Sequence, residues 1–85
     1  MNYKNYFGYQ VYDDGTVKNS KGIVLKPQRK KNWYYYELSI FSKTRRIGAG
    51  EILLFSNEFF PLKFNQKIKH IDGNTSNNSL NNLKW

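Results

Sequence analysis

The chain has 85 residues, enough for one small hydrophobic core in a single domain. Its 14 Lys and Arg against 6 Asp and Glu give a formal net charge of +8. The absence of cysteine and the presence of one histidine exclude a disulfide scaffold, a thiolate zinc site and a site of several histidines. Its longest aliphatic and phenylalanine run, residues 52–55, is far shorter than the ~20 residues of a membrane span. We therefore expect a cytoplasmic protein with no membrane partner.

The first half of the chain is predicted to form antiparallel β-hairpins. Strand 9–12 precedes the tight-turn sequence Asp13-Asp14-Gly15, and a second turn is expected at residues 19–22. Residues 23–25 are predicted as a short buried strand and residues 28–32 as a polar basic loop. Residues 33–40 form the strongest predicted strand, followed by a turn at 42–44 and a return strand at 45–47. On that strand one face carries Tyr34, Tyr36, Leu38 and Ile40.

The second half changes character at two glycines, Gly48 and Gly50, which are expected to break the sheet. A helix is predicted over residues 51–60, with core residues Ile52, Leu53, Phe55 and Phe59. Residues 67–71 alternate like a strand and residues 72–74 form a turn. A last helix is predicted over residues 77–83, capped by Ser76 and anchored by Trp85 packing on Leu80 or Leu83.

Positive charge is concentrated in the first half. Residues 1–46 carry ten basic and three acidic side chains, a net +7, whereas residues 47–85 carry four and three, a net +1. Phosphates attract cations and bases stack on rings, so this half predicts a nucleic-acid surface, with duplex DNA as the expected partner. A solvated charged face or an acidic protein partner remains an alternative. The predicted DNA-binding residues are Lys26, Arg29, Lys30, Lys31, Trp33, Tyr35, Lys43, Arg45 and Arg46.

The most specific motif is His70-Ile71-Asp72-Gly73-Asn74, followed by Asn77-Asn78 and by residues 81–85, Asn-Asn-Leu-Lys-Trp. It resembles the ββα-metal motif of the HNH homing endonucleases common in phage genomes. Shorter upstream matches resemble the module that often precedes this motif, so the resemblance covers roughly residues 6–85. They are Tyr9-Gln10-Val11, Asp14-Gly15-Thr16-Val17, Leu25-Lys26-Pro27 and Tyr34-Tyr35-Tyr36-Glu37-Leu38.

The resemblance implies an α+β fold: antiparallel hairpins, a short helix and a truncated ββα-metal-like hairpin-helix. Residues 1–47 would be the basic hairpin module and residues 48–85 the HNH-like part of one domain. His70 matches the general base, which in the family acts on water beside one divalent cation, and Asn82 matches the central asparagine.

The family's metal ligands have no clear counterpart in the sequence. Lys69 stands where a ligand often precedes the base, and no histidine occurs near residues 50–53, where the family has another. The last ligand of the family usually lies beyond the position of Trp85. The sequence thus predicts no metal and no cofactor, with His70 as a vestigial base.

Three functions are compatible with these features. The leading hypothesis is a phage-type DNA-binding protein, working in a bacterial host cell, derived from an HNH endonuclease that has lost metal-dependent cleavage. The second is an active nicking enzyme using His70, Asp72 and Asn82. The third is an inhibitor that binds a host defence nuclease such as a CRISPR effector. His70 has a purely structural alternative, as a turn histidine that hydrogen-bonds locally.

Overall fold

The computed structural model describes residues 2–63 and 66–85 and confirms an α+β fold of antiparallel strands and one helix. Strands form two three-stranded sheets, β1-β2-β3 and β4-β5-β6, and the short pair β7-β8. Within the described ranges, no helix is long and apolar enough to cross a membrane. The elements are β1 Tyr3–Tyr6, β2 Tyr9–Tyr12, β3 Val17–Lys18, β4 Gln28–Lys30, β5 Trp33–Ile40, β6 Lys43–Gly48, α1 Ala49–Ser56, β7 Lys69–His70, a 3-10 turn Leu80–Asn82 and β8 Leu83–Lys84.

The first sheet contains the predicted Asp-Gly hairpin and one strand that was not predicted. The Gly15 amide donates to the Tyr12 carbonyl oxygen at 2.9 Å, and Gly15 has φ +96°, as the tight turn requires. The unpredicted strand, β1, pairs with β2 in register from Tyr3 opposite Tyr12. Its residues 3–5 are exposed, so no buried face marks the strand in the sequence.

The prediction of a buried strand at residues 23–25 is wrong. Only an isolated bridge joins Val24 to Lys18, and Ile23 and Val24 are 57% and 56% exposed. A run of three aliphatic residues suggests burial, but among the described residues no element covers Ile23 and Val24. Leu25 alone packs against the core.

The second sheet contains the strongest predicted strand and a correction beside it. β5 spans Trp33–Ile40 as predicted, with Tyr36 and Leu38 buried. The predicted loop at 28–32 instead contains β4, which pairs with β5 through Lys30 opposite Trp33. All three residues of β4 are exposed, so this edge strand has no hydrophobic pattern. The turn after β5 lies at Phe41 and Ser42 rather than at 42–44, because Ile40 already pairs with Lys43.

Helix α1 starts earlier and ends earlier than predicted. Gly48 is the last residue of β6, so the sheet ends there as predicted, whereas Gly50 lies inside the helix. Ile52 and Leu53 are fully buried as predicted, but Phe59 is 55% exposed beyond the end of the helix. The core also takes in Val11, Val17, Tyr36, Leu38, Ala49, Leu54 and Leu83.

The predicted last helix is absent from residues 77–83. A 3-10 turn occupies Leu80–Asn82, and Leu83 then pairs with His70 in the β7-β8 hairpin. Asparagine side chains that hydrogen-bond local backbone compete with helix formation, and here the Asn74 side-chain oxygen accepts from the Ser76 amide at 3.0 Å. Ser76 therefore caps no helix. Trp85 packs against the core, which includes Leu83, and it follows strand β8 rather than a helix.

Candidate functional site: the His70 hairpin and the outer face of the second sheet

His70, the predicted general base, is half-buried on β7 and held by one side chain. Its Nε2 lies 2.8 Å from the Oδ1 of Asn78. The Asn78 Nδ2 donates to the Thr75 carbonyl oxygen at 3.3 Å, which directs Oδ1 towards the ring. An amide oxygen only accepts hydrogen bonds, so Nε2 carries the proton. In that tautomer of the neutral ring, Nδ1 is the nitrogen that can accept a proton.

The Asn78 side chain lies against Gly50, a residue of helix α1. A β-carbon on residue 50 would lie 2.9 Å from the Asn78 Oδ1 and 2.8 Å from the Ile68 Cδ1. Both distances are shorter than normal contacts, so a side chain at position 50 would require the Asn78 and Ile68 side chains to shift. The resemblance puts the family's upstream histidine near residues 50–53, where this chain has Gly-Glu-Ile-Leu. Nothing in the spacing of the sequence pairs Asn78 with His70, so this contact could not be predicted.

Asp72 is the centre of a second hydrogen-bonded cluster in the turn after β7. Its carboxylate accepts from the Asn77 Nδ2 at 2.8 Å, the Asn74 amide at 2.8 Å and the Asn82 Nδ2 at 2.9 Å. These bonds lower the pKa of Asp72 below its ordinary 3.8, with the Asn77 bond contributing most. Asn77 and Asn82 therefore have a structural role in this turn.

The residues present do not fit the divalent cation that the HNH resemblance implies. In the part of the chain that the structure describes, no three His, Asp or Glu side chains gather at one place. Both oxygens of Asp72 accept from amide groups. The Asn82 Oδ1, an alternative ligand, accepts from the Asp72 amide at 3.0 Å. Lys69, whose cation would repel a metal ion, stands beside His70 on β7.

The predicted DNA-binding residues separate into two groups on the second sheet. Strand register places one group on the face turned away from the core, which we call the outer face: Lys30 opposite Trp33, with Tyr35 and Arg46 on the same side. Arg29, Lys43 and Arg45 project on the other side, where Tyr34, Ile40 and Leu38 are their partners. Lys26 precedes β4, and Lys31 lies in the β4-β5 turn with φ +57°. The sequence could not separate them, because the register is set by the paired strands.

Aromatic and guanidinium groups are stacked along the outer face. The Trp33 and Tyr35 rings are 4.6 Å apart and inclined by 24°. The Arg46 guanidinium lies 5.2 Å from the Tyr35 ring centroid, and its Nε is 3.5 Å from the Glu37 Oε1. Tyr35 is only 6% exposed, so its ring is a support for Trp33 rather than the stacking platform expected. Trp33 is 40% exposed and presents its indole to solvent.

A groove of about 590 Å³ extends the outer face towards helix α1. Trp33 and Arg46 line it at the sheet, and Glu51, Phe55 and Trp85 line it at the far side. The exposed cations of the other group remain outside it. Arg29 lies 5.7 Å from the Tyr34 ring centroid, and its Nε donates to the Lys31 carbonyl oxygen at 2.7 Å.

Comparison with known proteins agrees with the HNH resemblance in sequence and in fold. No family model matches the chain. It is 34% identical over 80 residues to the uncharacterized HNH endonuclease L245 of Acanthamoeba polyphaga mimivirus, covering 91% of this chain and 23% of L245.

The whole chain matches a solved structure of the HNH homing endonuclease I-HmuI, one that concerns its binding and cleavage of DNA. The TM-score is 0.82 at 27% identity, over 52% of the I-HmuI chain. The chain thus spans about a quarter of L245 and half of I-HmuI. Over the part of each relative that it spans, the chain is similar in sequence and in fold to HNH endonucleases.

Proposed function

We propose that the chain binds duplex DNA through the outer face of the second sheet. The observation that carries the proposal is the register that places Lys30, Trp33 and Arg46 together on one exposed face. Cations there would neutralise phosphates, and the indole would stack or pack on the nucleic acid. The similarity to I-HmuI supports a DNA partner, since the matched structure concerns DNA binding and cleavage.

The proposal includes that the described residues do not cut DNA by metal-assisted hydrolysis. The donor set around His70 supports this, because Asp72 and Asn82 are committed to each other and Lys69 replaces a ligand. His70 itself keeps the orientation of a base through Asn78. It would then be a remnant of the catalytic site that now stabilises the hairpin.

The binding test is the salt dependence of affinity for a duplex. Each phosphate contact adds about −0.9 to the slope of log K against log salt. Lys30→Ala with Arg46→Ala should flatten the slope by roughly 2 without loss of the folded state. The matched control, Lys63→Ala with Lys84→Ala, removes the same charge from exposed positions in the second half. An equal flattening by both pairs would remove the outer face from the proposal.

The cleavage test is incubation of supercoiled plasmid with Mg²⁺ or Mn²⁺, with His70→Ala beside the unchanged chain. We expect no relaxed or linear product from either protein. Nicking that needs both the metal and His70 would establish the active nicking enzyme instead.

A phage-type origin and a bacterial cytoplasmic location belong to the same proposal. The viral source of L245 supports a viral origin, whereas the bacterial host rests on the phage resemblance. A chain that binds no DNA but captures a defence nuclease from a host lysate would favour the inhibitor hypothesis.

A further inference from the structure

The turn between β5 and β6 holds an exposed phenylalanine in an unfavourable backbone conformation. Ile40 pairs with Lys43, so Phe41 and Ser42 form a two-residue turn, with φ +51° and +64°. Turns with positive φ at both positions favour Asn-Gly, since side chains beyond Asn and Gly are strained there. Phe41 is nevertheless 84% exposed, so packing in the core does not explain its presence.

A second hairpin tip supports the first. Phe7 and Gly8 form the turn between β1 and β2, with φ +50° and +89°. The Phe7 ring meets the Phe41 ring edge-on at 5.6 Å and the Tyr6 ring at 4.8 Å. Phe7 is itself 54% exposed. Two turns from two different sheets therefore present a joined pair of aromatic rings to solvent.

The charges that flank the Phe41 tip are positive. Lys43 follows the turn directly and Arg45 lies two residues further along β6; both are exposed, on the side of the sheet opposite the outer face. Lys21 lines a hollow of about 410 Å³ beside Phe7. The cores of protein interfaces are depleted of lysine, although arginine is enriched there. A ring flanked by cations is complementary instead to bases flanked by phosphates.

We propose that Phe41, supported by Phe7, is a wedge that enters between base pairs of duplex DNA and kinks it. This inference rests on the proposed function and adds a mode of binding to it. Apolar side chains inserted at a base step unstack it and bend the duplex, and a rigid two-residue turn keeps the ring extended for insertion. Strands rise about 3.3 Å per residue, so the wedge lies roughly 26 Å from Trp33. At about 3.4 Å per base pair, one duplex of some eight pairs reaches both.

The test measures bending as energy transfer between dyes at the two ends of a duplex of about 25 base pairs. Binding of the unchanged chain should shorten the end-to-end distance by the kink of 20–90° that wedges produce. Phe41→Ala should abolish the shortening and weaken binding several-fold, while Phe41→Leu, which keeps an apolar wedge, should retain most of it. Phe60→Ala is the matched control, an exposed phenylalanine outside both tips.

A second variant separates the wedge from the stability of the fold. Phe41→Asn with Ser42→Gly supplies the residues that this turn favours, so it should raise the melting temperature and still abolish bending. Bending that persists in this variant or in Phe41→Ala overturns the wedge while leaving DNA binding in place. Binding by the unchanged chain without any bending does the same. If the unchanged chain binds no duplex at all, both the wedge and the proposed function fail.

Discussion

Asn82 and Asp72 hold each other through two hydrogen bonds of opposite direction. The Asn82 Nδ2 donates to the Asp72 carboxylate at 2.9 Å, and the Asn82 Oδ1 accepts from the Asp72 amide at 3.0 Å. Asn82 Nδ2 also donates to the Asn77 carbonyl oxygen at 2.9 Å. One buried amide thus ties the turn after β7 to the start of β8.

Asn82→Ala should therefore destabilise the chain. Three lost hydrogen bonds at ~0.5–1.5 kcal/mol each give about 2–4 kcal/mol. Chemical denaturation measures the free energy of unfolding, and Asn81→Ala is the control, since Asn81 is the exposed neighbour. Equal stability of the two variants would contradict the role given to Asn82.

The Asp72 carboxylate should make stability depend on pH in the acid range. Hydrogen bonds lower the pKa of Asp72 in the folded chain below its ordinary 3.8. The stabilisation is therefore fully present above about pH 4 and is lost as the pH falls through the lowered folded pKa. The melting temperature of the unchanged chain should fall between about pH 5 and about pH 2.5. That of Asp72→Asn should fall less over the same range. A parallel fall in both proteins would assign the acid sensitivity to other carboxyl groups.

Gly50→Ala should disturb the histidine hairpin although the two are far apart in sequence. Alanine gains about 1 kcal/mol of helix propensity over glycine, but its β-carbon would lie within 3 Å of Asn78 and Ile68. Overpacking of this kind costs ~1–3 kcal/mol. We expect a net loss of stability together with a shift of the His70 ring signals in an NMR spectrum.

The double variant Gly50→Ala with Asn78→Ala tests whether the two positions are coupled. Removing the Asn78 amide should relieve most of the crowding, so the two changes should cost less together than the sum of each alone. Additive costs would mean that Asn78 does not limit residue 50.

Sequence could predict the parts of this fold whose signal is local. The Asp13-Asp14-Gly15 turn and the alternation of β5 each carry their information within a few residues, and both are confirmed. β4 is an exposed edge strand, defined only by pairing with β5, so no periodicity marks it. The predicted last helix is missing for a similar reason: the Leu83 backbone pairs with β7 instead of forming hydrogen bonds within a helix.

Sequence could likewise predict only part of the candidate site. His70 and Asn82 were identified by motif, whereas the Asn78 contact and the division of the cations between two faces depend on tertiary geometry. Tyr35 shows the limit most clearly. It lies on the same face as Trp33, yet the Trp33 ring and the Arg46 guanidinium cover it.

The Trp85 side chain contributes to the stability of the fold. Its indole is half-buried, lies 5.6 Å from the Phe55 ring and donates from Nε1 to the Phe59 carbonyl oxygen at 2.9 Å. The residue thus joins β8 to helix α1 and to the segment after it. Burying a whole Trp is worth ~3–5 kcal/mol, so truncating a half-buried one should cost about 2 kcal/mol. Trp85→Ala should then lower the melting temperature by roughly 8–16 °C.

Trp85→Phe separates the ring from its hydrogen bond. It keeps the aromatic contact with Phe55 and loses only the donor, so it should cost about 1 kcal/mol, near half of the alanine effect. A shift of only a degree or two for Trp85→Ala would mean that the indole contributes little to the fold. The groove between Trp85 and Trp33 would then have a mobile wall, and its aromatic surface would be available to a partner rather than committed to the core.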